Sequence, residues 1–352
     1  MTASLSTIRL RTVNLAEAQR GSSLFADLAF TQEPGYALEA AARVGARAEF
    51  ALFEQAGAPV GFAALRIKPI PLLGGGLAYL HGGPSTRLAG QAFSSDLWAE
   101  CLTRLAEHCA ARTLTLRVAS PLAGADDAAL AARYRELGFN PGGVDGERTI
   151  VLDLIRPLDD IRAALVGKWR TDLRRGEQGD LRIVRSAEPD RIARLQPLLG
   201  ALAARKGFAM AQDAAFFARA AGHAAPGHEP FVAHLAYRGE ELVGGHIGGF
   251  TGDTAVYLLG ATGAAGREAR AAFRLQWAVI EYAKERGLAR YDLGGIDPHA
   301  NPDVHRFKAR MGGLETARAA TWEKPAGRIA PRVIAVAEAI RRLRTPYLPS
   351  GT

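Results

Sequence analysis

Cysteine is nearly missing from this chain, with two residues, Cys101 and Cys109, in 352. Both fall in one predicted helix, with neither metal-ligand nor disulfide-framework spacing. That excludes a disulfide-stapled secreted domain and predicts a reducing, cytoplasmic setting. No apolar run is long enough to span a bilayer, and no Lys-led apolar stretch precedes Ile8, so neither a membrane span nor a signal peptide is expected. A Walker loop, a Ser-His-Asp order and a Cys/His cluster are likewise missing, which removes the common rival catalytic readings. With 48% hydrophobic and 23% charged residues and a mean hydropathy of -0.02, little of the chain is left for disordered tails.

What is present starts with length and charge. A chain of 352 residues exceeds the size at which one core keeps growing, so two domains are expected. Lys and Arg number 44 against 36 Asp and Glu, giving a net charge of +8 and a sequence pI near 9.8. That balance favours anionic partners such as tRNA, nucleotide-linked substrates or an acidic membrane surface.

A repeat organises the chain. Ala48 to Leu65 reads as a hairpin, and so does the run from Phe231 to Phe250, where Val243 and Gly244 stand as Val60 and Gly61 stood. Each hairpin is followed by a strand (LAYLHGG ending at Gly83, AVYLLGA ending at Ala261). Each then continues into a long helical pattern, around Phe93 to Ala110 and around Arg270 to Arg286. Those helices feed TLTLRV from Thr113 and ARYDLGG from Ala289, so one β-β-β-α-β unit occurs twice.

The junction is expected near Val151 to Pro157, where RTIVLDL ends and a helix begins. Domain 1 then spans 1–151 and domain 2 spans 152–326. The basic amphipathic segment Arg328 to Arg344 is predicted as a helix that packs on a domain, with peripheral contact to anionic lipid as the alternative.

Two segments carry chemistry. In GKWRTDLRRGEQGDLRIV, Lys168, Arg170 and Arg174 gather basic charge, with Arg170 and Arg174 one helical turn apart and matched to phosphate oxygens. The alternative is an ordinary solvated helix. In YDLGGIDPHANPDVHRFKARMGG, a strand ends at Gly294 and Gly295, a Pro-rich loop follows, and a short helix presents Phe307 and Lys308. His299 and His305 share that loop, but their spacing suits no metal motif, so no metal is expected.

These segments, with YLLGA from Tyr257, the helix containing LQW, and LHGGP at Leu80 to Pro84, resemble the Fem peptidyltransferases over nearly the whole chain. The resemblance implies an α/β (α+β) fold of two tandem GNAT-like domains, each a mixed, mainly antiparallel twisted sheet flanked by helices. No heptad insertion lies between Ser186 and Pro230, so no coiled-coil arm is expected. The implied reaction moves an amino acid from aminoacyl-tRNA to an amine, on a peptidoglycan-precursor peptide or a smaller acceptor, in a monomer without a bound cofactor. The resemblance also returns the segment 327–352 to domain 1 and puts Lys308 in the reacting cleft.

Attack of an amine on an ester needs a proton acceptor, a cation for the oxyanion and a neutralised leaving group. Lys308 suits the cation. Asp292 and Asp297 flank the glycine turn as candidate proton acceptors, with Asp292 the one expected to be catalytic. Tyr291, Gly294, Gly295, Asp297, Phe307, Tyr257 and Arg205 complete the expected substrate contacts, and Lys168, Arg170 and Arg174 the tRNA or phosphate contacts. One departure concerns the acceptor. Where Fem enzymes acting on stem-peptide precursors carry a basic residue and then a tyrosine, this chain has Gln212 and Phe216.

Two other readings remain open. An acyl-CoA-dependent GNAT N-acyltransferase shares the fold, but GREARAAFRLQW from Gly266 lacks the glycine pair of a pyrophosphate turn. A non-catalytic module for anionic ligands would have no use for YDLGGID together with FK.

Overall fold

The computed structural model describes residues 8–71, 74–119, 127–142, 148–206, 212–317, 320–327 and 332–333. The first half runs β1 (Arg9–Val13), α1 (Leu15–Ser22), α2 (Pro34–Arg43), β2 (Arg47–Gln55), β3 (Ala58–Pro69), β4 (Gly76–His81), α3 (Ser95–Ala110), β5 (Leu114–Ala119), α4 (Asp127–Glu136) and β6 (Asn140–Pro141). The second opens with β7 (Arg148–Asp153), α5 (Leu158–Ala164), α6 (Gly167–Gln178), β8 (Leu181–Ser186), α7 (Pro189–Ala193), α8 (Gln196–Lys206) and α9 (Ala214–Gly222). It continues through β9 (Phe231–Arg238), β10 (Glu241–Thr251), β11 (Thr254–Thr262), α10 (Ala264–Glu268), α11 (Ala271–Glu285), β12 (Arg290–Asp292), α12 (Pro302–Ala309), β13 (Leu314–Ala317) and β14 (Thr321–Lys324).

Two seven-stranded mixed sheets result, ordered β1-β2-β3-β4-β5-β14-β6 and β13-β7-β12-β11-β10-β9-β8. Written from β8 inward, the second repeats the first place by place. β5 runs parallel to β4 and antiparallel to β14, just as β12 runs parallel to β11 and antiparallel to β7. This is the tandem GNAT-like arrangement expected from the repeat.

The sixth place in each sheet is filled by exchange, which moves the boundaries predicted from sequence. β7 straddles the predicted end of domain 1 at residue 151, yet it pairs with β12 through Arg290↔Asp153 and Asp292↔Val151. β14, assigned by sequence to domain 2, pairs with β5. Unit 1 therefore holds the described residues up to 142 and from Ala317 onward, and unit 2 holds Arg148–Thr316. The helix predicted for Arg328 to Arg344 and the return of 327–352 lie almost wholly outside the described residues.

In unit 1, α3 turns Trp98, Cys101, Leu102 and Leu105 against Phe53, Leu65, Leu80, Leu116 and Val118. Both cysteines are fully buried, and burial pushes each thiol up to about 12, so they act as small apolar groups. The LHGGP corner is held from the loop before α2. The Gln32 side chain accepts from the Ala64 amide (2.8 Å) and donates to the His81 carbonyl (2.8 Å), while Thr31 donates to that same carbonyl (2.7 Å).

In unit 2, α11 buries Leu275, Trp277, Val279, Ile280 and Ala283 against the sheet, with apolar positions three and four apart as an amphipathic helix requires. Each large side chain withdrawn from water contributes about 1.5–3 kcal/mol. The helix ends where Gly287 turns left-handed (φ +71°) and Leu288 N–H donates back to Ala283 (3.0 Å). Among the described residues no helix is long and apolar enough to cross a membrane, and none is a long coiled-coil arm.

Candidate active site

Strand alternation sets the first contrast at the glycine corner. Tyr291 and Leu293 point into the core and are fully buried, and Asp292 points the other way. Tyr291 is thus a packing residue and not the substrate contact expected. Its hydroxyl donates to Gln276 Oε1 (2.7 Å) from α11, and burial holds its pKa well above the phenol range.

After Asp292 the chain turns sharply. Gly294 adopts φ +73°, and a Cβ there would stand 2.7 Å from the Tyr257 carbonyl oxygen, so only glycine fits. Asp292 Oδ1 accepts from the Gly294 amide (2.8 Å) and from the Thr149 hydroxyl, which also lies 3.0 Å from the Gly294 carbonyl. Thr149 comes from β7, so the exchanged strand braces the corner. Asp297, just beyond, accepts from the amides of His299 and Ala300 (2.8 Å each), which pulls its pKa below the usual range.

Lys308 reaches this corner from α12. Pro302 starts the helix, and the Phe307 ring packs against Trp169 of α6 (centroids 5.9 Å) and Phe273 of α11 (5.3 Å). That aromatic anchoring is what Phe307 does here, in place of the substrate contact expected. The Lys308 ammonium, only 6% exposed, donates to the Gly295 carbonyl (2.8 Å), lies 3.4 Å from that of Gly294, and sits 5.0 Å from the Tyr257 ring centroid. A desolvated ammonium is costly unless complemented, and carbonyl dipoles with a ring face offset part of the cost; the ring contributes about 0.5–2 kcal/mol.

Tyr257 reaches the corner from β11. Its hydroxyl lies where Gly260 leaves room, 2.1 Å from the position a Cβ would take, and burial pushes its pKa up to about 12. Gly294, Gly295, Tyr257 and Lys308 are therefore brought together, with Asp292 as their brace.

The basic cluster is redistributed. Arg170 folds back onto the carbonyls of Ala163 (2.6 Å) and Leu165, closing the end of α5, so its guanidinium is spent locally. Lys168 is exposed and lies 3.5 Å from Asp172, while Arg174 is exposed on α6. Arg205 lies exposed on α8, and among the described residues no contact joins it to the corner. Arginines that do gather around a cleft, of about 340 Å³, are Arg175, Arg238 and Arg270 at the start of α11, with Asp180 and Glu268.

Arg270 holds φ +60°, unusual for a side-chain-bearing residue, and its Nε bonds Asp172 Oδ1 (2.9 Å), a buried carboxylate. Sequence reasoning missed Thr149, Asp172, Arg270 and His246. Only His246 carried a signal, as a polar residue amid the glycines of an apolar strand.

No group of three or more His, Cys, Asp or Glu among the described residues is placed to hold a metal ion. Residues 167–308, from the start of α6 to Lys308, match the Acetyltransferase (GNAT) domain family. Among curated proteins none matches in sequence. The crystal structure of FemX is similar over 94% of this chain and 100% of its own, with TM-score 0.79 at 14% identity. The C-terminal domain of a proposed lysylphosphatidylglycerol synthetase from Agrobacterium fabrum is similar over 94% and 97%, with TM-score 0.55 at 12% identity. A conserved protein of unknown function from Bacteroides thetaiotaomicron follows at 91% and 100%, with TM-score 0.56 and 11% identity. Residues 167–308 thus match the GNAT domain model, and the chain has a tandem GNAT-like fold of the kind solved for FemX.

Proposed function

We propose that the chain is a Fem-like aminoacyltransferase that moves an amino acid from aminoacyl-tRNA to an amine. The observation that carries this reading is the Lys308 ammonium, withdrawn from water and fixed at a glycine corner in a FemX-like fold. The amine lone pair attacks the ester carbonyl, forming the C–N bond and an oxyanion. Collapse breaks the ester C–O bond, and the ribose oxygen leaves with the proton the amine gives up. A fixed cation beside the developing charge needs no reorganisation, and low local dielectric strengthens its effect.

In the cleft lined by Arg175, Arg238 and Arg270, Asp180 and Asp172 already hold Arg238 and Arg270, so a contact to the donor's phosphates would rest on Arg175, whose guanidinium fork matches phosphate oxygens. On the acceptor side, Phe216 is buried and meets the Phe217 ring edge-on (centroids 5.1 Å, 83°), so it replaces the family's tyrosine with a core ring. That favours a small amine or short peptide over a nucleotide-linked muropeptide. The second reading, acyl transfer from CoA, is favoured by the acetyltransferase domain match. Against it stands Arg270 at the start of α11, tied to Asp172 where a glycine turn would cradle pyrophosphate.

Purified protein incubated with charged tRNA, or with acyl-CoA, beside a panel of amines is expected to give a mass-shifted amide from the tRNA arm. Product from the CoA arm alone would replace the leading reading with the second. Asp292→Asn separates brace from base. Asparagine still accepts from Gly294 and Thr149, so activity within about tenfold of wild type is expected; a general base would lose about 10²–10⁴-fold.

A further inference from the structure

The polar residues behind Tyr257 are unused by the reaction as described. His246 on β10 is 1% exposed, and its ring meets the Tyr257 ring edge-on at 4.7 Å and 66°. Its Nε2 lies 3.3 Å from the Tyr291 hydroxyl oxygen, whose one proton goes to Gln276 Oε1 (2.7 Å). Toward the imidazole that oxygen can only accept, so Nε2 carries the hydrogen. Nδ1 is left a buried lone pair with no hydrogen-bond partner among the described residues.

Packing alone does not explain an imidazole here, because phenylalanine would fill the place without an orphaned nitrogen. The ring also does not exchange protons. Burial, and after it the nearby Lys308 charge, hold its pKa well below the usual imidazole value. His234, opposite on β9 with ring centroids 6.2 Å apart, is itself pushed down to about 3 by burial and adds no charge.

We propose that His246 is a positioning residue: pinned by Tyr291 and Gln276, its ring sets the tilt of Tyr257, and Tyr257 sets where the Lys308 ammonium stands. The inference rests on the proposed role of Lys308, but its geometry can be read without any reaction. The contacts form one file from helix to helix, Gln276 of α11, Tyr291, His246, Tyr257 and Lys308 of α12. The carbonyls of Gly294 and Gly295 fix the ammonium from the corner, and this file fixes it from the ring.

The test uses the full chain with labelled lysine and histidine. In wild type, the Lys308 Cε protons are expected upfield-shifted by the Tyr257 ring current, with Tyr257→Leu as the unshifted reference. His246 is expected as the Nε2–H tautomer in the nitrogen spectrum. His246→Gln, which can still donate to Tyr291 but lacks the ring, and His246→Phe, which keeps a ring but lacks the hydrogen bond that pins it, are both expected to lose the wild-type shift. In turnover, the glutamine variant is expected to lower kcat about 10- to 100-fold with KM unchanged, as a small misplacement of a reacting group does.

A glutamine or a phenylalanine variant with the wild-type shift overturns the proposal. So does the Nδ1–H tautomer in wild type, which decides the matter even if a variant fails to fold. If no donor gives product, the transferase reading fails while the spectra still judge His246.

Discussion

Lys308→Ala is expected to lower kcat by about 10²–10³-fold, the loss typical of removing one preorganised donor to an oxyanion. The ammonium is the cation that meets the glycine corner, and its position is fixed by two carbonyls and a ring. Lys308→Met, which keeps the packed stem and removes the charge, is expected to show the same loss. Both variants leave the Gly295 carbonyl without the Lys308 donor, so the melting temperature is expected to fall modestly while the circular dichroism spectrum is retained. Steady-state kinetics on the tRNA-dependent reaction measure the effect. Full activity in the methionine variant would leave Lys308 a structural cation and remove the central support of the transferase mechanism.

Gly294→Ala is expected to damage the site through both its backbone and its overlap with β11. Alanine at φ +73° costs about 1–2 kcal/mol on backbone grounds, and forcing a Cβ to 2.7 Å from the Tyr257 carbonyl adds about 1–3 kcal/mol. The corner can relieve the overlap only by moving away from β11, which shifts the two carbonyls that hold Lys308. Stability and activity should therefore fall together. Gly287→Ala is the control. It shares the left-handed backbone (φ +71°), but nothing lies within 4 Å of its added Cβ, so only the conformational cost applies and activity is expected to survive. Chemical denaturation of the two variants separates backbone strain from overlap. Equal losses would show that the close approach to Tyr257 is soft.

Much of this architecture was legible in the sequence, because the repeated apolar alternation and the two long helical patterns are local signals. The hairpins from Ala48 and Phe231 and the helices ending near Ala110 and Glu285 stand where the pattern puts them. The exchange of β7 and β14 was not legible. Alternation says which face of a strand is apolar, while its neighbours in the sheet are chosen by long-range pairing. The same limit applies at the corner. Alternation separates Asp292 from Tyr291 and Leu293 without saying which set is covered, and the structure gives the core to Tyr291.

The helical face of Arg170 and Arg174 could be drawn from their spacing, but the fold of Arg170 back onto Ala163 depends on α5 ending beside it. Lys308 and the corner glycines were visible as a motif. Thr149, far away in sequence, became part of the site only through the exchanged strand.

That exchange has a consequence for how the protein can be taken apart. The polypeptide passes from one unit to the other at Glu147/Arg148 and passes back at Thr316/Ala317. A protease that nicks either passage leaves both units on a shared covalent tether, so two cuts are required to release them. A gene truncated at the midpoint of the repeat likewise encodes no self-sufficient half, since the first sheet has lost its sixth rung and the remainder carries the missing piece.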